Sequence, residues 1–538
     1  MEIEADRRWP TRIGLILLQR LGKRNLAIIA CLFGIVVMIL YRPWRQIEVG
    51  DPAVYDYIAQ SILRGQIPYR DVVDIKGPGG PYISALAILL GKAAGIRDVI
   101  AIRLMNVALL GLLSAITYMV AEEYLRSRLA AILAFLVPLM PEHFAMMLIS
   151  GTQPKLPMIL FGMVTLLLIA KDRPFCAGVC SMLSCLCWQP GLLFTGTAFL
   201  IFSKYLTSWR DLRALKVVIG AAIPLLAVLS YFYSRGALDD LWAWTIAYNY
   251  GVFGPEATKG AGEALQKLWR IVNRVFRPDT SGFGGSLLGM FKARFEPLAG
   301  FVTLTMVLFS FLGIVSFAFE RIRAKVTGKG SSGVVGDALI WPAVVYFAFC
   351  MVNFQAGPDL IPFFPFIGIF AGWLFVKAGQ SVASFDRIKH IPGLTREWCI
   401  PGVAVLLVLI IILARTATYR VETWTLQYQD QEFKTLSDLL DPDDKVYVHG
   451  TVEILVLLNR PNLNPYLLLD WDADNFAGAR RPGGWSAIMD EMESQAPKLV
   501  AISRLRTVTH RADLERWVQE HYDRLQPFRY ETVYIRKP

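Results

Sequence analysis

The chain has 538 residues, 54% hydrophobic and 18% charged, with a formal net charge of +11. Soluble globular proteins carry about 25% charged residues, so this shortfall and a mean hydropathy of +0.43 exclude an ordinary soluble fold and point to the bilayer as solvent. The positive charge does not mark a nucleic-acid partner: Lys and Arg cluster at the ends of apolar runs, where they signal topology and contact lipid headgroups.

Taken in chain order, a basic stretch with Arg7, Arg8, Arg12, Arg20, Lys23 and Arg24 precedes the first apolar run, 26–41. No small-x-small cleavage site follows, so this run reads as an uncleaved first span rather than a signal peptide. Further runs at 98–120, 129–147, 154–170, 174–189, 191–206, 214–234, 297–318, 336–354, 359–378 and 399–415 bring the expected count to about eleven spans. The pair on either side of Gln189-Pro190-Gly191 reads either as two spans or as one kinked helix. The apolar stretch 81–94 is settled by the positive-inside rule. If it lies along the outer interface, Arg126 with Arg128, Lys171 with Arg173, Arg210 with Arg213, the basic run 321–329 and 387–389 all fall inside. The expected topology has the N-terminus in the cytoplasm and the C-terminus outside.

Three sizeable external parts follow from that topology: the loop 42–97, the loop 235–296 and the tail 417–538. The fold expected is mainly α, a polytopic transmembrane helical bundle (1–416) with interfacial helices and a small C-terminal α/β domain (417–538). In the tail, 445–449, 499–502 and 532–535 read as strands and 430–440, 483–495 and 511–522 as helices. The seven cysteines all lie in or beside apolar segments and none is in the tail, so no disulfide framework is implied.

The first loop is dense in residues that are costly near a membrane: Glu48, Asp51, Asp56, Arg64, Arg70, Asp71, Asp74 and Lys76. Val54, Ile58, Ser61 and Ile62 fit a surface-lying helix that Gly65 ends, and the run Gly77-Pro78-Gly79-Gly80 turns the chain before a second interfacial helix. An Asp just after the first span is followed by Asp56-Tyr57, Ala59, Ile62-Leu63, Gly65, Pro68-Tyr69-Arg70-Asp71, Asp74, Lys76, Pro78 and Tyr82, with Arg103 opening the second span. This pattern resembles the GT-C glycosyltransferases. It is most similar to their protein O-mannosyltransferase and aminoarabinose-transferase branch, which includes the domain named for rhizobial lipopolysaccharide galacturonosyltransferases. The tail segments 446–450 and 458–461 resemble C-terminal domains of the same group.

The resemblance implies an enzyme that takes a sugar from a polyprenyl-phosphate carrier outside the cytoplasm and transfers it to a hydroxyl of a lipid, glycan or protein. In a bacterium this places it in the inner membrane. Asp51 is the implied catalytic base, since the attacking hydroxyl must lose a proton. Lys76 is the implied partner of the leaving phosphate, where negative charge gathers. Asp56, Tyr57, Tyr69, Asp71, Asp74, Glu142, Gln153 and Asp359 are the expected substrate contacts.

Two departures from the pattern matter. Relatives carry an acid where Gln153 stands, in a Thr-Asp-x-Pro-like context, and an amide neither takes a proton nor balances a cation. Either Asp51 suffices, or Glu142 or another loop acid substitutes, or the protein is catalytically altered. No cofactor is expected, and no metal-spaced set of His, Cys and Asp supports a divalent ion. Near 355–366 the prolines match, while Asp359 replaces a basic-aromatic pair.

In the second loop, Leu265, Leu268, Trp269, Val272 and Phe276 form one stripe at helical spacing, and Lys267, Arg270, Arg274 and Arg277 the opposite one. This is an interfacial amphipathic helix, serving as a headgroup anchor or holding the carrier phosphate through Arg270 and Arg274. Trp242, Trp244, Tyr248 and Tyr250 precede it as an aromatic belt or a stacking surface. The competing reading is a non-catalytic glycan or lipid-carrier protein, such as a transporter. It fits less well, because a transporter places ionisable residues mid-span and here the acids gather outside.

Overall fold

The computed structural model describes residues 22–204, 211–253, most of 262–270, 287–327, 336–352, 354, 357–384, 398–419, 424–525 and 532–538. The N-terminal arginines, Arg274 and the basic positions 387–389 lie outside the described residues.

Every apolar run became helix. Among the described residues, six helices are long and apolar enough to cross a membrane: Lys23–Arg45, Asp98–Leu125, Arg213–Ser234, Phe295–Ala324, Gly357–Ala383 and Cys399–Thr418. Four shorter apolar helices, Lys155–Ala170, Pro174–Cys187, Gln189–Ser203 and Asp337–Val352, fill the bundle between them. At 1.5 Å per residue a helix of this kind spans only about 25 Å or less, short of the roughly 30 Å hydrocarbon layer.

Two details refine the sequence reading. The run 129–147 is not straight: Arg128–Leu139 and Glu142–Ile149 meet at 67°, broken at Pro141. The segments around Gln189-Pro190-Gly191 form a hairpin rather than a kinked helix. Thr195 Oγ1 donates to Ser181 Oγ at 3.0 Å, a pairing that only antiparallel neighbours can make. The helices Pro174–Cys187 and Arg213–Ser234 cross where a Cβ on Gly178 would strike Val217 O and one on Gly220 would strike Phe175 O. Small residues thus let two backbones touch, as membrane helix pairs favour.

The first loop builds two helices, Asp51–Leu63 and Gly79–Ala93. The second, at 15 residues, leaves Leu86, Leu89 and Leu90 exposed on one side. The tail forms a four-stranded sheet in the order β1-β2-β4-β3, with β1 Val446–His449, β2 Leu499–Ile502, β3 Tyr522–Leu525 and β4 Val533–Arg536. The β1–β2 pair is parallel, with Val446 opposite Leu499, and the other pairs are antiparallel. Its crossover carries three helices, Glu453–Leu458, Ala473–Ala479 and Gly484–Gln495. The three expected strands are present; β3 lies just after the helix Arg511–His521 and was not legible as a strand.

The tail is seated on the first loop. Val54, Tyr55, Tyr57 and Ile58 share a buried apolar cluster with Phe433, Leu436, Leu455 and Leu499. A second cluster joins Tyr69, Phe232, Trp244 and Tyr248 to Tyr447, Met492 and Trp517. Backbone contacts reinforce the seat: Val73 N donates to Pro465 O at 2.8 Å, and Asn462 N to the Tyr57 hydroxyl at 2.7 Å.

Candidate active site

Between the tail and the helical bundle lie two cavities, about 350 and 240 Å³ in volume, which share Asp51, Tyr55 and Lys76. The smaller is walled on the bundle side by Met147, Ser150, Gln153, Lys155 and Pro358. The larger is walled by Trp244 and Tyr248 and, from the tail, by Asp470, Trp471 and Arg504. Asp51 and Lys76 therefore stand where two compartments meet.

Asp51 opens its helix at the end where the unpaired backbone N–H groups favour an anion. Gly50, at φ +73° and ψ −148°, makes the turn into it in a conformation that a side chain disfavours. Arg504 Nη1 lies 3.5 Å from Asp51 Oδ1, and the carboxylate remains largely exposed to the cleft. Desolvation raises the Asp51 pKa, but Lys76, Arg504 and Lys155 outweigh it and hold the carboxyl below the ordinary carboxylate range.

Lys76 is placed by its loop. The Tyr69 hydroxyl donates to Lys76 O at 2.7 Å, while Gln189 Nε2 and Asn249 Nδ2 donate to Ile75 O at 2.8 and 3.0 Å. The Lys76 ammonium donates to the Tyr55 hydroxyl and sits 4.7 Å from that ring's centroid. Asp74, beside it, is buried, and burial pushes its carboxyl up to about 6 against the opposing pull of Lys76 and the Ile75 N–H.

The remaining expected contacts divide. Gln153 and Asp74 line the cleft. Asp56, fully buried, accepts from Thr152 N at 2.8 Å and faces inward. Tyr57 and Tyr69 are buried supports, and Asp71 is chelated by Arg70 and accepts from Ile67 N at 2.7 Å. Glu142 begins the helix Glu142–Ile149 and lines neither compartment. Asp359 is buried in an ion pair with Lys155, at 2.5 Å. Arg270 is exposed and lines neither compartment; Lys267, one turn earlier, lines the larger one. Among the described residues no His, Cys, Asp and Glu group is arranged to hold a metal.

Beneath the site is a buried polar frame. Arg103, fully buried, donates to Pro43 O, Gln46 O, Ile47 O, Ser150 O and Glu48 Oε2, the last at 2.8 Å. Burial and then the Asp56 charge push Glu48 well up, with Arg103 opposing. Glu48 Oε1 and Asp56 Oδ2 are buried with no hydrogen-bond partner among the described residues, and burial favours a proton on one of the two acids. Asn106 adds bonds to Leu148 O and Gly151 O. At Gly151 a Cβ would lie 2.8 Å from Asp56 Oδ2, so only glycine fits. The frame ties the start of the Asp51 helix to the 150–153 turn.

Sequence reasoning missed Lys155, Arg504 and His449. Lys155 also sits 4.4 Å from the centroid of the Trp188 ring. His449, fully buried, donates from Nδ1 to Ser503 O at 2.8 Å and accepts from Leu469 N at Nε2, also at 2.8 Å. Burial pushes its pKa down to about 4, so the ring is neutral and clamps both tail loops that wall the cleft.

No family model matches the chain. ArnT from Cupriavidus metallidurans bound to undecaprenyl phosphate superposes with a TM-score of 0.59 over 95% of this chain and 98% of that one, at 11% identity. The archaeal oligosaccharyltransferase AglB from Archaeoglobus fulgidus, in complex with an inhibitory peptide and a dolichol-phosphate, gives 0.50 over 96% and 74%, at 13% identity. In sequence, the chain is 24% identical over 348 residues to the dolichol phosphate-mannose mannosyltransferase of Haloferax volcanii, spanning 58% of this chain and 72% of that one. The chain thus shares its fold with these two solved membrane proteins over nearly its whole length.

Proposed function

We propose that this protein is an integral membrane glycosyltransferase that moves a sugar from a polyprenyl-phosphate donor to a hydroxyl acceptor at the extracytoplasmic face, with the tail on that side. The observation that carries the reading is the pairing of Asp51 with Lys76 at the junction of two compartments. Two substrates must meet at one carbon, and the junction is where an acid and a cation face it together. Lipid phosphates are named in the ArnT and AglB structures and in the mannosyltransferase's own name, which supports the same donor class here.

In this reading Asp51 accepts the acceptor's hydroxyl proton as that oxygen bonds to the anomeric carbon. The bond from that carbon to the phosphate oxygen breaks, and its electron pair leaves with the phosphate. Lys76, with Lys155 behind it, offsets that charge in a partly desolvated site. The products are the glycosylated acceptor and the free polyprenyl phosphate. A carboxylate held low by neighbouring cations is a weak base, so it takes the proton late, once the attacking oxygen has become acidic.

The test is binding of the lipid phosphate to the full-length protein in nanodiscs. Wild type binds polyprenyl phosphate saturably, and Lys76→Gln weakens that binding by about tenfold or more, the loss of one charge-assisted phosphate contact. Equal affinity in Lys76→Gln contradicts the assignment of Lys76, and a wild type that binds none contradicts the donor class.

A further inference from the structure

The tail wall of the larger compartment contains groups that the transfer step does not use. Trp471 and Asp472 are both left-handed, at φ +58° and +62°. For a bulky aromatic residue that backbone is a strained outlier, kept only where the surroundings impose it. Here they do: Thr507 Oγ1 meets Trp471 N at 3.2 Å, and the Tyr248 hydroxyl donates to Trp471 O at 2.9 Å. The Tyr248 anchor comes from a π-helical stretch, Ala243–Phe253, a rare backbone form that is frequent at functional sites. His449 fixes Leu469, two residues before Trp471, and the Ser503 carbonyl beside Arg504. Three devices thus hold one strained tryptophan at the edge of the cavity.

The chemistry of the wall narrows its ligand. Lys76, Lys267 and Arg504 are matched by Asp51, Asp74 and Asp470, so beyond the phosphate contact at Lys76 the compartment carries no excess of either charge. An indole beside carboxylates suits a molecule with an apolar C–H face and a rim of hydroxyl donors, which describes a pyranose ring. We propose that the tail-side compartment is a subsite for a sugar ring, with Trp471 as its stacking face and Asp470 and Asp74 as acceptors for ring hydroxyls. This deepens the glycosyltransferase reading and rests on it for the identity of the sugar's carrier. The ring is either the donor's own sugar or a sugar of the acceptor glycan.

The test uses full-length protein in nanodiscs and two readouts. In saturation-transfer NMR, methyl glycosides of mannose, glucose, galactose, arabinose and glucuronic acid serve as probes. At least one takes up saturation from the wild type, Trp471→Ala and Trp471→Leu lose the signal, and Trp471→Phe keeps it at unchanged thermal midpoint. In transfer assays Trp471→Ala raises one substrate's KM by about tenfold, with kcat within about threefold. A rise in donor KM places the donor sugar on Trp471, and a rise in the KM of a glycan acceptor places the acceptor there. No signal from any glycoside with the wild type overturns the subsite, as does a signal that survives Trp471→Ala. A KM rise confined to a sugar-free serine/threonine peptide also overturns it. Glycoside binding that depends on Trp471, in a protein that transfers from no polyprenyl-phosphate sugar, leaves the subsite standing and removes the glycosyltransferase reading instead.

Discussion

Asp51→Asn lowers kcat by about 10³-fold while leaving the donor KM within about threefold, because the amide keeps the carboxylate's shape but takes no proton. The fold is expected to survive. Asp51 and Arg504 are both substantially exposed, so losing their 3.5 Å pair leaves a solvated arginine rather than a buried orphan charge. Asn is also tolerated at a helix start. The pH profile follows from the same geometry. The base must be ionised, and the neighbouring cations lower its pKa despite the opposing burial. Activity therefore persists as pH falls through the ordinary carboxylate value of about 3.9 and is lost only below it. Arg504→Ala removes one of those cations, so its acid limb moves upward. Full turnover in Asp51→Asn contradicts the assignment of the base, and an unmoved limb in Arg504→Ala contradicts the electrostatic account.

Arg103→Met destabilises the protein by about 3–5 kcal/mol, the cost of leaving buried partners uncompensated. Glu48 Oε2 and four backbone carbonyls all lose their donor at a fully buried position. Glu48 and Asp56 then face each other with no cation between the frame and the helix. The double variant Arg103→Met with Glu48→Leu recovers part of the loss, because it removes one acid along with its partner. A thermal midpoint of Arg103→Met equal to wild type shows that the frame does not hold the site together. The same variant also lowers turnover, since the frame orients the helix that begins at Asp51.

The parts legible in the sequence are those written by local pattern. Apolar runs predicted every long helix, and alternation in short β-rich stretches found β1, β2 and β4 within a residue of their ends. The first loop was recognisable because its acids, glycines and prolines are crowded where a membrane protein otherwise avoids them. Their individual roles were not legible. Asp56 and Asp51 are five residues apart in one helix, yet one is sealed under Thr152 while the other faces the cleft. That difference depends on which face the 150–153 turn covers. Arg504 lies 453 residues from the acid it meets, and its position is set by a histidine clamp that no spacing announces. The basic stripe of the second loop suggested Arg270, but helix phase brings Lys267 to the cavity. Gln153 does leave the expected acid position without a charge, and Asp359, next to the wall residue Pro358, is committed to Lys155. Asp51 is thus the acid that both compartments share.

The most direct measurement is transfer of label from polyprenyl-phosphate sugars to candidate lipid, glycan and peptide acceptors by the wild-type protein in liposomes. Saturable transfer from at least one donor is expected, with one polyprenyl phosphate released for each sugar transferred. Binding of those donors with no release of polyprenyl phosphate, or movement of the intact lipid across the bilayer in place of transfer, would contradict it.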